Sequence, residues 1–157
     1  MRKSLYAISS KSAVLPGVAD IRSATLHAGF LEKEGGHQVI AKDWQPRWCV
    51  LTYNCLYYFR SRSSSSAAGM IPFSGCTVQL CTSPDILSQR EHVFELVVPS
   101  GRIYRFDSFH LSDLHIWVNL LTEYVRDSNI GPSPSELVLH SGASDPSLSS
   151  PLSADSL

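Results

Sequence analysis

A length of 157 residues leaves room for one compact domain with tails and hardly for two. Hydrophobic residues make up 43% of the chain, but serine crowds both ends, so core-forming content is concentrated between about His27 and Arg126. There nine Lys or Arg face nine Asp or Glu, a formally neutral stretch that excludes a general attraction for nucleic acid and makes any anion preference local.

In chain order, the opening MRKSLYAISSKSAVLPGVAD is basic and hydroxyl-rich, with no acid before Asp20. It faintly resembles a mitochondrial transit peptide in composition, but a disordered lead-in over residues 1–24 is preferred. HAGFLEK, 27–33, reads as a first strand, and EGGHQVIAKD as a glycine-bearing loop. QPRWCVLTY, 45–53, and CLYYFRS, 55–61, flank a tight turn at Asn54, which makes a hairpin. RSSSSAAG is a connection, after which MIPF and CTVQLC supply two short strands, with Pro72 marking an edge or a bulge. HVFELVV, 92–98, and RIYRFDS, 102–108, form a second hairpin around PSG, with Phe94, Leu96 and Val98 on one face and Tyr104 and Phe106 next door.

The period then changes. Leu114, Trp117, Val118, Leu121 and Val125 fall at the three- and four-residue spacing of one helix face, with Ser108 or Ser112 as candidate caps. From about Asp127 the composition turns to Ser, Pro, Gly and Asp, too poor in apolar surface to offset ordering entropy, so residues 129–157 are expected to be disordered. That tail contains no PxxP and no tyrosine; with RKS near the start as a weak basophilic-kinase match, the serine-rich ends also read as segments for phosphorylation.

Four cysteines, Cys49, Cys55, Cys76 and Cys81, lie inside apolar runs without CxxC pairing or histidines at zinc spacing. They read as buried free thiols of a reducing compartment, with no metal or cofactor expected. No apolar run approaches the length of a membrane span. Catalysis is excluded on arrangement: there is no GxSxG, HExxH, P-loop or dinucleotide fingerprint, and His110 and His115 are too far apart to neighbour each other on a helix.

About seven strands followed by one amphipathic helix with a central Trp resembles a pleckstrin homology (PH) domain. AGFLEK is similar to that family's opening Gly-x-Leu-x-Lys, DWQPRWCVL to its Trp-x-x-Arg-Trp strand, NCLYYF and GMIPF to its third and fourth strands, and Trp117 to its helix tryptophan. The resemblance covers residues 27–126. TYNCLYYF and GMIPF look like the cytohesins, whereas the GG loop and the LPGVA lead-in look like the immune-cell adaptor that binds the Abl SH3 domain. The resemblance implies a mostly β, PH-like barrel of two near-orthogonal antiparallel sheets capped by one C-terminal α-helix, over residues 25–128. Phe94, Phe106, Trp117, Leu121 and Trp48 are its expected core.

It also implies a site for phosphoinositide headgroups, because several phosphates call for charge-assisted donors converging from different strands. Lys33 matches the family's first lysine, Arg47 its phosphate-forking arginine, and Tyr58 its donor tyrosine. Lys42, His37, Arg60 and Arg62 are near enough in sequence to help. Gln45 departs where strong binders carry a cation, as does Ala68 where cytohesins carry an arginine, and Glu34 and Asp43 weaken the local field. Each lost charge-assisted bond forfeits about 1.5–3 kcal/mol, roughly ten- to hundredfold in affinity.

Without the family, Arg47 reads as a solvated strand charge, Lys33 as a surface charge and Tyr58 as a half-buried strand tyrosine. Trp44 either dips into a membrane interface or covers the barrel rim, and the second is preferred. The expectation is a cytoplasmic adaptor module for signalling, peripheral at the inner face of the plasma membrane, binding phosphoinositides weakly and no nucleic acid. The alternative is a protein-interaction scaffold with little or no lipid binding.

Overall fold

The computed structural model describes residues 14–35 and 43–131. Seven strands appear in the expected order: β1 His27–Glu34, β2 Trp44–Leu51, β3 Cys55–Phe59, β4 Gly69–Pro72, β5 Thr77–Leu80, β6 Val93–Val97 and β7 Ile103–Asp107. They form one antiparallel succession, β4-β3-β2-β1-β7-β6-β5. β1 is the joint. It pairs with β2 from His27↔Leu51 to Glu34↔Trp44, but with β7 only at Glu32↔Asp107 and Lys33↔Phe106, so the four-stranded and three-stranded halves meet at one corner. The interior is filled by Leu31, Leu51, Leu56, Phe73, Phe94, Leu96 and Phe106, and is closed by Leu114, Trp117, Leu121 and Val125 of the C-terminal helix α2, Leu111–Ile130. This is the mostly β, helix-capped architecture expected. Among the described residues no helix is long and apolar enough to cross a membrane.

Three helical features depart from the sequence reading. Helix α2 runs on to Ile130, because Asn129 binds the β4–β5 turn: its Oδ1 accepts from Gly75 N at 2.7 Å and its Nδ2 donates to Cys76 O at 3.2 Å. Its N-cap is His110 rather than Ser108 or Ser112. The Ser108 hydroxyl is instead spent on the carbonyls of His92 and His110, at 3.3 and 3.2 Å. A single-turn helix, α1, Pro84–Leu87, was not visible in the periodicity because four residues are too few to show one, although Pro at its start is a fitting signal.

The lead-in, expected to be loose, is packed where it is described. Leu15, Val18 and Ile21 cover Val50, Phe59 and Ala67 on the outer face of β2 and β3. Backbone bonds hold it there, Val18 N to Ser64 O at 3.0 Å and Ala67 N to Pro16 O at 2.8 Å. The reason lies in β2 and β3, which carry apolar residues on both faces. A sheet with two apolar faces needs a second cover, and residues 14–24 supply it. The same alternation corrects Trp48. Since Cys49 and Leu51 point into the barrel, Trp48 points out, half-buried against Phe30 with ring centroids 5.0 Å apart.

Candidate functional site

Alternation along β1 puts Gly29, Leu31 and Lys33 on the barrel side, so Lys33 reaches the mouth where the strand leaves the core. Its ammonium donates to the Glu34 carbonyl at 3.0 Å and lies 4.9 Å from the Tyr58 ring centroid and 5.5 Å from that of Tyr104. Burial, reinforced by the charges of Arg102 and Arg47, pulls its pKa below the ordinary value. Repulsion of this kind is what a nearby negative charge would relieve.

Arg47 stands on the same face of β2 as Cys49. Its Nη2 donates to Gln45 Oε1 at 2.7 Å and its Nη1 to Pro46 O at 2.9 Å, while Gln45 Nε2 donates to Asp43 at 3.3 Å. Gln45 thus spaces Arg47 from Asp43 and holds the guanidinium by one edge, leaving further donors to face outward. Tyr58 is cross-strand from Gly69, and its hydroxyl lies so close that a Cβ on residue 69 would sit 2.0 Å from it. Gly69 therefore makes room for the tyrosine, which is half-buried and whose pKa is raised by burial and by neighbouring Tyr104.

The structure brings Lys33, Arg47 and Tyr58 together and adds a residue that sequence reasoning missed. Arg102 precedes β7, stacks 4.4 Å over the Tyr104 ring, and is close enough to bear on both Lys33 and Tyr58. A signal existed: Arg102, Tyr104 and Phe106 share one face at period two. What was invisible was that β7 docks beside β1. Among the described residues, no carboxylate forms an ion pair with Lys33, Arg47 or Arg102.

Other expected helpers stand elsewhere. Arg62 lies over the outer face of Trp48, 4.9 Å from its ring, and Arg60 lines a small cavity with Ser64, Ser66, Ala67 and Ala68. His37 and Lys42 lie outside the described residues. Of the acids expected to oppose the site, Glu34 turns to the outer face and pairs with Arg105 at 3.0 Å, yet its charge still bears on Lys33 and offsets part of the lowering of that pKa. Arg105 also bonds Glu95 at 2.7 Å; burial alone would raise that carboxyl, but Gln79 and Arg105 outweigh it and hold it below its ordinary value. Beside them Arg90 pairs with Glu32 and Asp107 and stacks 4.2 Å over Trp44, which packs with Cys81, Ile86 and Val93. Trp44 therefore covers the barrel wall. Among the described residues there is no cluster of His, Cys, Asp or Glu able to hold a metal ion.

The PH domain family model matches residues 25–126. Src kinase-associated phosphoprotein 2-A of Xenopus laevis is 30% identical over 107 residues, which is 68% of this chain and 32% of that protein. The chain thus spans about a third of the length of that curated relative. Among solved structures, the carboxyl-terminal PH domain of pleckstrin superposes with a TM-score of 0.56 at 20% identity, covering 65% of this chain and 97% of the other. The same domain in complex with D-myo-Ins(1,2,3,5,6)P5 gives 0.56 at 21%, covering 65% and 96%. At these identities the structural likeness concerns the fold.

Proposed function

Because the chain belongs to the PH domain family, we propose that it is a non-enzymatic targeting module of an adaptor, which captures phosphoinositide headgroups weakly at the mouth where β1 and β3 end and β2 and β7 begin. The single observation that carries this reading is the convergence of Lys33, Arg47 and Arg102 around Tyr58 and Tyr104 without a carboxylate partner among the described residues. A phosphate entering there relieves repulsion among the three cations and gains charge-assisted bonds from each. The crystallised complex of the pleckstrin domain with an inositol pentakisphosphate lends the ligand class support. Gln45 and Ala68 remain uncharged where strong binders are cationic, so affinity is modest and membrane residence depends on a second contact.

Sedimentation of the full chain with vesicles containing phosphoinositide, at graded salt, tests the reading. Binding should fall with salt. Arg47→Ala and Arg102→Ala should each weaken it roughly tenfold, in line with about 1.5–3 kcal/mol for a charge-assisted bond. Binding indifferent to salt and to both substitutions sinks the proposal.

A second reading, a protein-interaction scaffold, is favoured by one observation: the amide of Gln45 already occupies Arg47. Gln45→Lys discriminates. If it creates strong lipid binding where none was measurable, lipid is not the native ligand.

A further inference from the structure

β5 is the last strand of the sheet, so among the described residues one of its edges has no strand beside it. The phase of its pairing tells which groups face that open edge. Cys81 N donates to Val93 O at 3.0 Å and the register runs Leu80↔Phe94, Gln79↔Glu95, Val78↔Leu96 and Thr77↔Val97. In an antiparallel ladder, bonded and non-bonded pairs alternate, so Thr77, Gln79 and Cys81 turn their main-chain groups toward β6. Cys76, Val78 and Leu80 turn theirs outward. The outward carbonyl of Cys76 is the one that Asn129 of α2 takes up, which confirms the phase and shows the edge facing the helix. The outward N–H and C=O groups of Val78 and Leu80 have no protein partner among the described residues.

Between this edge and the last two turns of α2 runs a largely apolar groove of about 370 Å³, floored by Cys76, Val78, Thr122 and Val125 and flanked by Ile130. Ile130 in its lining stands 68% exposed, and Leu80, two residues on from Val78 along the same edge, is 53% exposed. Among the described residues, Arg126 on the rim forms a loose 3.4 Å ion pair with its neighbour Asp127 and no other. An unpaired strand edge is complemented by another extended backbone. An apolar groove alongside takes every second side chain of that backbone, because successive side chains point to opposite faces.

We propose that the β5 edge and the C-terminal flank of α2 form a docking groove for an extended peptide segment of a partner protein, apolar at alternate positions and acidic opposite Arg126. The segment adds an eighth strand through the outward groups of Val78 and Leu80. The groove shares no residue with the Lys33–Arg47–Arg102 mouth, so peptide and headgroup are bound independently.

The test titrates the full chain, labelled with nitrogen-15, with an eight-residue peptide alternating valine with threonine and carrying one glutamate. Amide shifts are expected at Val78, Leu80, Thr122, Val125 and Ile130. Leu80→Pro removes an outward N–H and leaves the bonds to β6, a change that edge strands tolerate. Thr122→Arg fills the groove from the helix. Each should weaken the peptide at least tenfold and leave vesicle binding unchanged. The proposal is overturned if millimolar peptide shifts no groove amide, if the shifts gather at the β4 edge or the mouth, or if both variants bind as the native chain does. It is overturned equally if the native chain sediments as a dimer that Leu80→Pro dissociates, since a second copy would then be the occupant.

Discussion

At Lys33, stability and the proposed headgroup binding pull in opposite directions. The folded chain holds this ammonium half-buried between Arg102 and Arg47, so it releases its proton at a lower pH than the unfolded chain, whose pKa is the ordinary 10.5. The folded state therefore binds fewer protons wherever the two differ, and stability rises with pH through the folded pKa, levelling off above 10.5 where both states are neutral. Lys33→Met keeps the aliphatic stem and removes the charge. Thermal unfolding should show a midpoint no lower than that of the native chain and a flattened rise in stability between neutral pH and pH 10.5. The same variant should lose about tenfold or more in headgroup binding, measured with vesicles. A lowered midpoint together with native binding would show that Lys33 serves packing rather than the anion.

Among the elements, the lead-in strap decides how firmly the β3–β4 loop is held. Gly17 lies against that loop, and a Cβ there would meet Ser65 O at 2.7 Å and Ser65 C at 2.8 Å, both backbone atoms that cannot swing aside. Gly17→Val should lift the strap from Val50 and Phe59 and cost about 1–3 kcal/mol in urea unfolding, with faster proteolysis between residues 14 and 24. The strap's Pro, Gly and isolated apolar residues carry no helical or strand period, so its sequence predicts disorder. Its order comes from the surface it covers. Trp48 was misplaced for a related reason: in WQPRWCVL the apolar residues do not alternate, so the pattern cannot say which face is inward. Where alternation was clear, as at Phe94 and Leu96 or Tyr104 and Phe106, the facing was readable, and Phe94 and Phe106 stack in the core with centroids 5.5 Å apart.

The whole molecule depends on helix α2 closing the barrel, and its period alone placed Trp117 there. That ring is buried, lies 4.6 Å from the His27 ring in an edge contact, and comes within 3.5 Å of where a Cβ on Gly29 would be. Trp117→Ala should cost about 3–5 kcal/mol by chemical denaturation, a large share of the about 5–15 kcal/mol typical of a domain. Burial holds the His27 pKa below its ordinary 6.5, with Asp113 opposing, so the unfolded chain takes up this proton first as pH falls through 6.5. That contribution to stability is present above pH 6.5 and is lost toward the lowered folded value.

By itself the sequence determined the element order, the two hairpins, the helix face and the family, because a period of two or of 3.6 is set by covalent geometry and survives in the residue pattern. It also named three residues of the mouth, through motif positions on single strands. Which charges gather at the mouth was decided only by the tertiary structure. Arg102 joins the mouth because β7 docks beside β1, Arg62 stands apart over the outer face of Trp48, and Glu34 pairs with Arg105 on the outer face while its charge still reaches Lys33. Convergence of charges from separate strands depends on register and barrel closure, which are set by the burial of the whole core and are written in no local stretch of the chain.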